Sequence, residues 1–226
     1  MPIIPLHDKN PLKKIRFQYV NLALILTCVA VFLWQLGSPD MNREIYALGT
    51  IPAVLNGSRV LEADLYLVPA WASLLTGAFL HAGWLHLGGN MLFLWVFGDN
   101  IEDELGHYRY LVFYAVVAVA ASLAHVATNW DSILPLVGAS GAVSGIMGAY
   151  LVLYPKVKVT LLLFKKIPMR LAAWAVIGLW AGYQVFSYVV LDLLASPTEA
   201  GGVAWMAHIG GFIAGAVLIP AFRPRP

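Results

Sequence analysis

Six apolar runs, each close to the length that crosses a lipid bilayer, limit most strongly what this chain can fold into. A membrane-spanning α-helix needs about 20 mainly apolar residues. Charged residues make up 12% of the chain, against about 25% in soluble domains. The pattern therefore predicts an all-α membrane protein, a polytopic bundle of six transmembrane helices. The runs cover residues 17–37, 71–97, 108–127, 139–154, 171–194 and 204–222.

No tandem repeat, low-complexity tract or linker divides the chain, which indicates one membrane domain over residues 17–222. A short cytoplasmic segment, residues 1–16, precedes this domain, and a cytoplasmic tail, residues 223–226, follows it. The one long polar segment, residues 38–70, mixes aliphatic side chains with charges, as in an outer loop that lies partly in the membrane interface. We expect no cleavable signal peptide, because residues 1–19 contain no apolar core.

The distribution of basic residues predicts the orientation of the bundle, because cytoplasmic loops carry an excess of Lys and Arg. With the N-terminus in the cytoplasm, only Arg43 and Arg59 of the 14 basic residues fall outside, which leaves 12 inside. Both termini and the loop at 155–170 are thus predicted to be cytoplasmic. The net charge of +2 then reflects topology and not a nucleic-acid partner. The inner basic residues are Lys9, Lys13, Lys14, Arg16, Arg109, Lys156, Lys158, Lys165, Lys166, Arg170, Arg223 and Arg225.

Three polar clusters lie at membrane depth, where polar side chains are costly and indicate a functional site by default. They are HAGWLHLGGN at 81–90, GASGAVSG at 138–145 and AHIGGFIAG at 207–215. In the first cluster, His86 and Asn90 are four residues apart and therefore share a helix face.

The second and third clusters predict a close pair of helices. Each carries G-x-x-x-G, at 141–145 and at 211–215, and such small-residue stripes let two membrane helices approach closely. Ser140 and His208 stand near the outer ends of these stripes. A short interhelical distance would allow the serine hydroxyl to hydrogen-bond the imidazole, as an activated nucleophile requires.

The length of the helix after Ser140 predicts that this residue lies below the membrane surface. From Ser140 to Tyr154 there are 15 residues, about 22 Å of helix, whereas the hydrocarbon core is about 30 Å thick. With the inner end held at Pro155 and Lys156, Ser140 lies beneath the outer surface, after irregular backbone at 134–138. Such backbone is tolerated at this depth only beside protein or a water-filled cavity, and hydrolysis needs that water.

Together, three motifs resemble the rhomboid family of intramembrane serine proteases, in the six-span form common among bacteria. They are G-x-S-G at 138–141, H-x-x-x-N at 86–90 and A-H-x-G-G at 207–211. The resemblance covers residues 17–220 and includes FGDNIEDELGHYRYLVFY at 97–114.

The resemblance implies that Ser140 is the nucleophile and His208 its general base. It also implies that His86 and Asn90 are oxyanion donors, alongside the backbone N–H of Ser140. Single-span membrane proteins are the implied substrates and the bacterial inner membrane is the implied location, with no metal or organic cofactor. One departure is Ser144, which stands where some relatives carry an aromatic ring that stacks on the catalytic histidine.

Structural interpretations of these residues stay open. A serine in a membrane helix commonly bonds the carbonyl four residues back, and His208 could make an interhelical hydrogen bond without catalysis. A non-proteolytic rhomboid-like membrane chaperone for single-span clients is the main alternative function, but such a protein would be expected to have lost Ser140 or His208. A channel or transporter is disfavoured because no inverted repeat is visible. The absence of H-E-x-x-H disfavours an intramembrane metalloprotease.

Further polar residues are predicted to have structural roles. We expect His81 to brace the outer loop, and His107 and His125 to lie at the membrane interface. Asp192 is expected to be an interfacial helix cap, and Gln184 to make a minor interhelical hydrogen bond. No acid is identifiable to orient His208, so a Ser–His dyad is expected. We expect clients to pass the fifth span, where Gly178 and Gly182 indicate loose packing.

Overall fold

The computed structural model describes residues 3–163, 166–193 and 203–224. Helices dominate these residues, as predicted for an all-α membrane protein. Within them, four helices are long and apolar enough to cross a membrane: Tyr19–Gly37, His107–Thr128, Ala173–Leu191 and Trp205–Phe222. Of the predicted inner basic residues, Lys165 and Arg225 lie outside the described part of the chain.

The helices, in chain order, are α1 (Tyr19–Gly37), α2 (Met41–Leu48), α3 (Pro52–Leu55), α4 (Ser73–Thr76), α5 (Trp84–Leu105), α6 (His107–Thr128), α7 (Ser140–Leu153), α8 (Ala173–Ser187) and α9 (Trp205–Phe222). A π-helix, Tyr188–Leu193, continues α8. Short 3₁₀ turns lie at Ala63–Leu65, Ala70–Ala72 and Gly77–Phe79.

The apolar run at 71–97 does not form one helix, and this prediction was wrong. Its first part folds into short turns around α4, and α5 begins only after the bend that follows them. The backbone leaves the helix because its polar groups bond elsewhere. The Gly77 carbonyl accepts the Gly138 N–H at 2.9 Å, and the His81 N–H donates to a glutamine side chain of α1 at 3.0 Å. These bonds attach the bend to α1 and to the loop before α7.

A three-stranded antiparallel sheet, which the sequence analysis did not predict, lies near the C-terminal end of α7. Its strands are β1 (Ile3–Asp8), β2 (Lys158–Leu163) and β3 (Ile167–Ala172), in the spatial order β1-β2-β3. The Tyr150 hydroxyl of α7 donates a hydrogen bond to Asp8, and burial raises the pKa of this carboxyl. Because Leu171 and Ala172 pair with β2, the fifth long helix begins at Ala173 and not at the predicted residue 171.

Acidic side chains at the C-terminal end of α5 hold the N-terminal segment against the bundle. Asp103 accepts the backbone N–H groups of residues 13–15 at 2.7–3.0 Å. Glu102 accepts those of Val20 and Asn21 at 3.0 and 2.7 Å. Since α1 begins at these residues, Glu102 lies at the positive end of the α1 dipole, where negative charge is stabilising.

The central helix of the bundle is α7. Residues 141–150 are all buried, and α5, α6 and α9 pack around them. The 14 residues of α7 make a helix of about 21 Å, shorter than a hydrocarbon core of about 30 Å. Neighbouring helices therefore shield α7 along most of its length, and Ser140 begins it.

Candidate active site

Three backbone hydrogen bonds attach the loop before α7 to other loops of the protein. Thr50 and Leu136 exchange two backbone hydrogen bonds of 3.0 and 2.8 Å, and the Gly138 N–H donates to the turn at Gly77. Gly138 has a φ of +118°, in the region that favours glycine. The chain can thus turn sharply into α7, whose first helical residue is Ser140.

Glycines bring α7 and α9 into backbone contact, as their spacing predicts. A Cβ added at Gly211 or Gly215 would collide with the carbonyl oxygen of Gly141 or Gly145, respectively. No larger residue fits there unless the helices separate. The side chains at the ends of these stripes therefore meet.

Ser140 and His208 meet at hydrogen-bonding distance. His208 Nε2 lies 2.8 Å from Ser140 Oγ, although the two residues are 68 positions apart in the chain. Both residues are half-buried. An imidazole nitrogen at this distance can accept the hydroxyl proton, which is the geometry of a serine nucleophile and its base.

The second nitrogen of His208 also has a partner, which sequence reasoning missed. His208 Nδ1 lies 2.8 Å from the side-chain oxygen of Gln184 on α8, and Gln184 is buried. Its prediction as a minor interhelical bond identified the kind of contact but not the partner. The only signal in the sequence is a polar residue within an apolar span. The side chain of Asp192, further along the same segment, lies outside the described part of the chain.

Aromatic rings flank His208 although Ser144 is not aromatic. The ring centroid of Trp180 lies 6.0 Å from that of the imidazole, and the centroid of Trp205 lies 6.4 Å from it. These rings come from α8 and α9. Ser144 instead donates to the Ser140 carbonyl at 2.5 Å. The aromatic rings near the imidazole are therefore on α8 and α9, whereas an aromatic residue at position 144 would have been on α7.

His86 and Asn90 direct nitrogen atoms towards the backbone just before Ser140. A Cβ built on Gly138 would lie 2.5 Å from His86 Nε2 and 3.7 Å from Asn90 Nδ2. Among the described residues, Asn90 Nδ2 is buried without a hydrogen-bond partner. The backbone N–H of Ala82 faces His86 Nδ1 at 3.4 Å, an arrangement in which Nε2 carries the ring hydrogen. Two N–H donors thus lie beside Gly138, two residues before Ser140.

A small cavity of about 10 Å³ lies beside Ser140, lined also by Gly138, Ala142 and Ala207. This volume is close to the minimum of roughly 10–15 Å³ that one water needs. The Ser140 hydroxyl and the neighbouring backbone supply polar groups at its wall. The cavity therefore has room for about one water molecule beside Ser140.

Three further histidines, His81, His107 and His125, have their hydrogen-bond partners elsewhere. His81 is buried and bonds its own turn and α1, and these bonds do not reach the outer loop at 38–70 that it was predicted to brace. His107 contacts Glu102 at 2.5 Å, and His125 lies near the C-terminal end of α6. In the part of the chain that the structure describes, no group of three or more His, Cys, Asp or Glu side chains could hold a metal ion.

Comparison with known proteins places the chain among rhomboids. The family model described as the rhomboid domain matches residues 69–225. Rhomboid protein 1, mitochondrial, of Saccharomyces cerevisiae is 30% identical over 85% of this chain and 50% of its own length. Rhomboid protease GluP of Bacillus subtilis is 29% identical over 89% of this chain and 34% of its own length. Rhomboid protease AarA of Providencia stuartii is 29% identical over 95% of this chain and 79% of its own length. The chain thus spans only half of the yeast relative and about a third of GluP.

Proposed function

This chain belongs to the rhomboid family, and we propose that it is an intramembrane serine endopeptidase with a Ser–His dyad. The observation that carries the proposal is the 2.8 Å hydrogen bond between His208 Nε2 and Ser140 Oγ. The similarity to GluP and AarA, both rhomboid proteases, supports the same activity. A chaperone that only binds single-span clients has no need of this hydrogen bond.

The proposed reaction is acyl transfer followed by hydrolysis. His208 Nε2 accepts the Ser140 proton while Oγ attacks a peptide carbonyl, which forms the new C–O bond and a tetrahedral oxyanion. As the peptide C–N bond breaks, the proton on His208 passes to the departing amine, and an ester remains on Ser140. Water then attacks the ester, with His208 taking its proton and returning it to Oγ. The serine hydroxyl is restored and a carboxyl product leaves.

His86 Nε2, Asn90 Nδ2 and the backbone N–H of Ser140 are the proposed oxyanion donors. The first residue of an α-helix has no intrahelical acceptor for its N–H, so that of Ser140 is free to face substrate. The two α5 nitrogens lie near Gly138, two residues before Ser140. Preorganised donors are strongest in a water-poor site of low dielectric constant, which suits a dyad buried in a membrane bundle.

The membrane arrangement is part of the proposal. The chain is an integral membrane protein with four apolar helices long enough to span, within the residues described. We propose that α5 and α7 complete a six-span bundle with both termini in the cytoplasm, as the basic residues predict. The domain covers residues 17–222, with an outer interfacial loop at 38–70. A bacterial inner membrane is the proposed location, although the family also includes a mitochondrial relative.

Single-span membrane proteins are the proposed clients, and α8 is their proposed route to the dyad. Among the described atoms, none lies within 4 Å of a Cβ added at Gly178 or Gly182. Both glycines are exposed, so this face of α8 is not packed against the bundle. A client helix approaching along α8 would reach His208 from the side of Gln184.

Covalent labelling tests the proposed activity. A fluorophosphonate probe reacts with a serine that a base activates, so the reconstituted wild type should label and should cleave a single-span reporter. Ser140→Ala should abolish labelling and cleavage, and His208→Ala should abolish cleavage. Ser73→Ala, which changes a buried serine on α4, should retain both. Labelling or cleavage by Ser140→Ala would contradict the assignment, and binding of the reporter without cleavage by the wild type would favour the chaperone.

A further inference from the structure

The His208 imidazole is hydrogen-bonded at both nitrogens. Nε2 lies 2.8 Å from Ser140 Oγ, and Nδ1 lies 2.8 Å from Gln184 Oε1. We propose that Gln184 is the positioning residue of this active site, which holds His208 in the orientation and tautomer that general-base catalysis needs. This inference rests on the proposed protease function.

The proton positions follow from the chemistry of the amide. An amide oxygen only accepts hydrogen bonds, so Nδ1 must carry the ring hydrogen and donate it to Gln184. A neutral imidazole then has its lone pair on Nε2, which faces the Ser140 hydroxyl. The alternative tautomer would place a hydrogen on Nε2 and could not accept the serine proton.

The orientation of the Gln184 amide is itself supported. Its Nε2 points to the Trp180 carbonyl one turn earlier, at a long 3.5 Å, so its oxygen is left for His208. Trp180 also contacts the imidazole ring. Two side chains of α8 therefore hold the imidazole ring: Gln184 through a hydrogen bond to Nδ1, and Trp180 through its indole ring.

A neutral amide suits this position better than a carboxylate. A buried ionised acid within a membrane span is costly, whereas the amide supplies an acceptor without a charge. The amide orients the base but contributes no full negative charge to the protonated imidazole. Because Gln184 is on α8, the imidazole keeps this partner only while α8 stays packed on α9.

Two substitutions separate positioning from packing. Gln184→Met keeps the length and approximate volume of the side chain but removes the strong acceptor. We expect the rate of fluorophosphonate labelling and kcat to fall about 10²-fold, which is the low end of what general-base catalysis contributes. KM should be nearly unchanged. Gln184→Glu keeps an acceptor oxygen and should retain at least a tenth of the wild-type rate. Ser187→Ala alters another buried residue of α8 and should label normally.

The assay is the labelling rate in proteoliposomes, measured below the unfolding temperature of each variant, with kcat and KM from a single-span reporter. ¹⁵N NMR of histidine-labelled protein, with His208 identified by its loss in His208→Ala, reports which ring nitrogen carries hydrogen. Wild-type rates in Gln184→Met, equal losses in Gln184→Met and Gln184→Glu, or a hydrogen on Nε2 in the wild type would each overturn the proposal. A wild type that neither labels nor cleaves would instead remove the protease function.

Discussion

Replacing Gly211 by alanine tests the link between helix packing and catalysis most directly. The added Cβ would collide with the Gly141 carbonyl oxygen and would lie 3.0 Å from the carbonyl carbon. Non-bonded carbon atoms normally sit about 3.5–4.0 Å apart, and the contact with the oxygen is shorter still, so α7 and α9 must separate by about 1 Å or more. No side-chain rotation relieves the collision, because the opposing atoms belong to the backbone.

The same movement would lengthen the hydrogen bond between Ser140 and His208, the proposed dyad. His208 lies one turn before Gly211, and Ser140 is adjacent to Gly141. Their 2.8 Å separation would become about 3.8 Å or more, beyond the usual hydrogen-bond range. A misplacement of about 1 Å can cost about 10²-fold in rate, and overpacking typically costs about 1–3 kcal/mol of stability. We therefore expect about 10²-fold slower fluorophosphonate labelling and a lower Tm.

Gly182→Ala is the matched control, because among the described atoms none lies within 4 Å of the added Cβ. It should label at the wild-type rate and unfold at the same temperature or slightly higher, since alanine favours helix over glycine by about 1 kcal/mol. Wild-type labelling by Gly211→Ala would refute the reasoning, whether or not stability falls. An equal loss in Gly182→Ala would show that the assay detects any alanine in a span.

Three further predictions concern the oxyanion donors, the topology and the clients. Asn90→Ala should lower kcat about 10²–10³-fold, because one preorganised donor is lost, while some probe labelling persists; an unchanged kcat would exclude Asn90 from the mechanism. In a Cys28→Ala background, cysteines at Val60 and Lys166 should react with an impermeant maleimide from opposite sides, and labelling from one side would contradict the six-span orientation. Replacing Gly and Pro by Leu at the outer end of a client's span should sharply reduce cleavage in proteoliposomes. Gly destabilises a helix by about 1 kcal/mol and Pro by about 3 kcal/mol relative to Ala, so their removal makes the client helix harder to unwind. A soluble peptide with the same changes should be cleaved as fast as the unchanged peptide. Equal cleavage of the original and the leucine-substituted membrane clients would show that unwinding does not limit access.

Much of the helical bundle could be predicted from local sequence. Runs of about 20 apolar residues have few stable alternatives to membrane helices. Helical spacing also placed the glycines of 141–145 and 211–215 on single faces, and the structure brings these faces into contact. Ser140 and His208 were predicted neighbours because they head those faces.

Local pattern was a poor guide where the backbone pairs with distant groups. The segment at 158–163 is mainly apolar, and a short apolar run does not distinguish a strand from a buried helix. Its pairing with β1 joins residues that are far apart in the chain, 3–8 and 159–163. The bend before α5 has the same cause, since His81 and Gly77 bond groups of α1 and of the loop before α7.

The sequence by itself determined the membrane class, the bounds of the long apolar helices outside the 71–97 run to within a few residues, and the residue types available for chemistry. Only the tertiary structure decided that Gln184 faces His208, because this depends on how α8 is rotated and tilted against α9. The two residues are 24 positions apart, and α8 presents apolar side chains all round, so no amphipathic stripe defines its inner face. A polar contact between two such helices is set by packing of the whole bundle, which local periodicity does not encode.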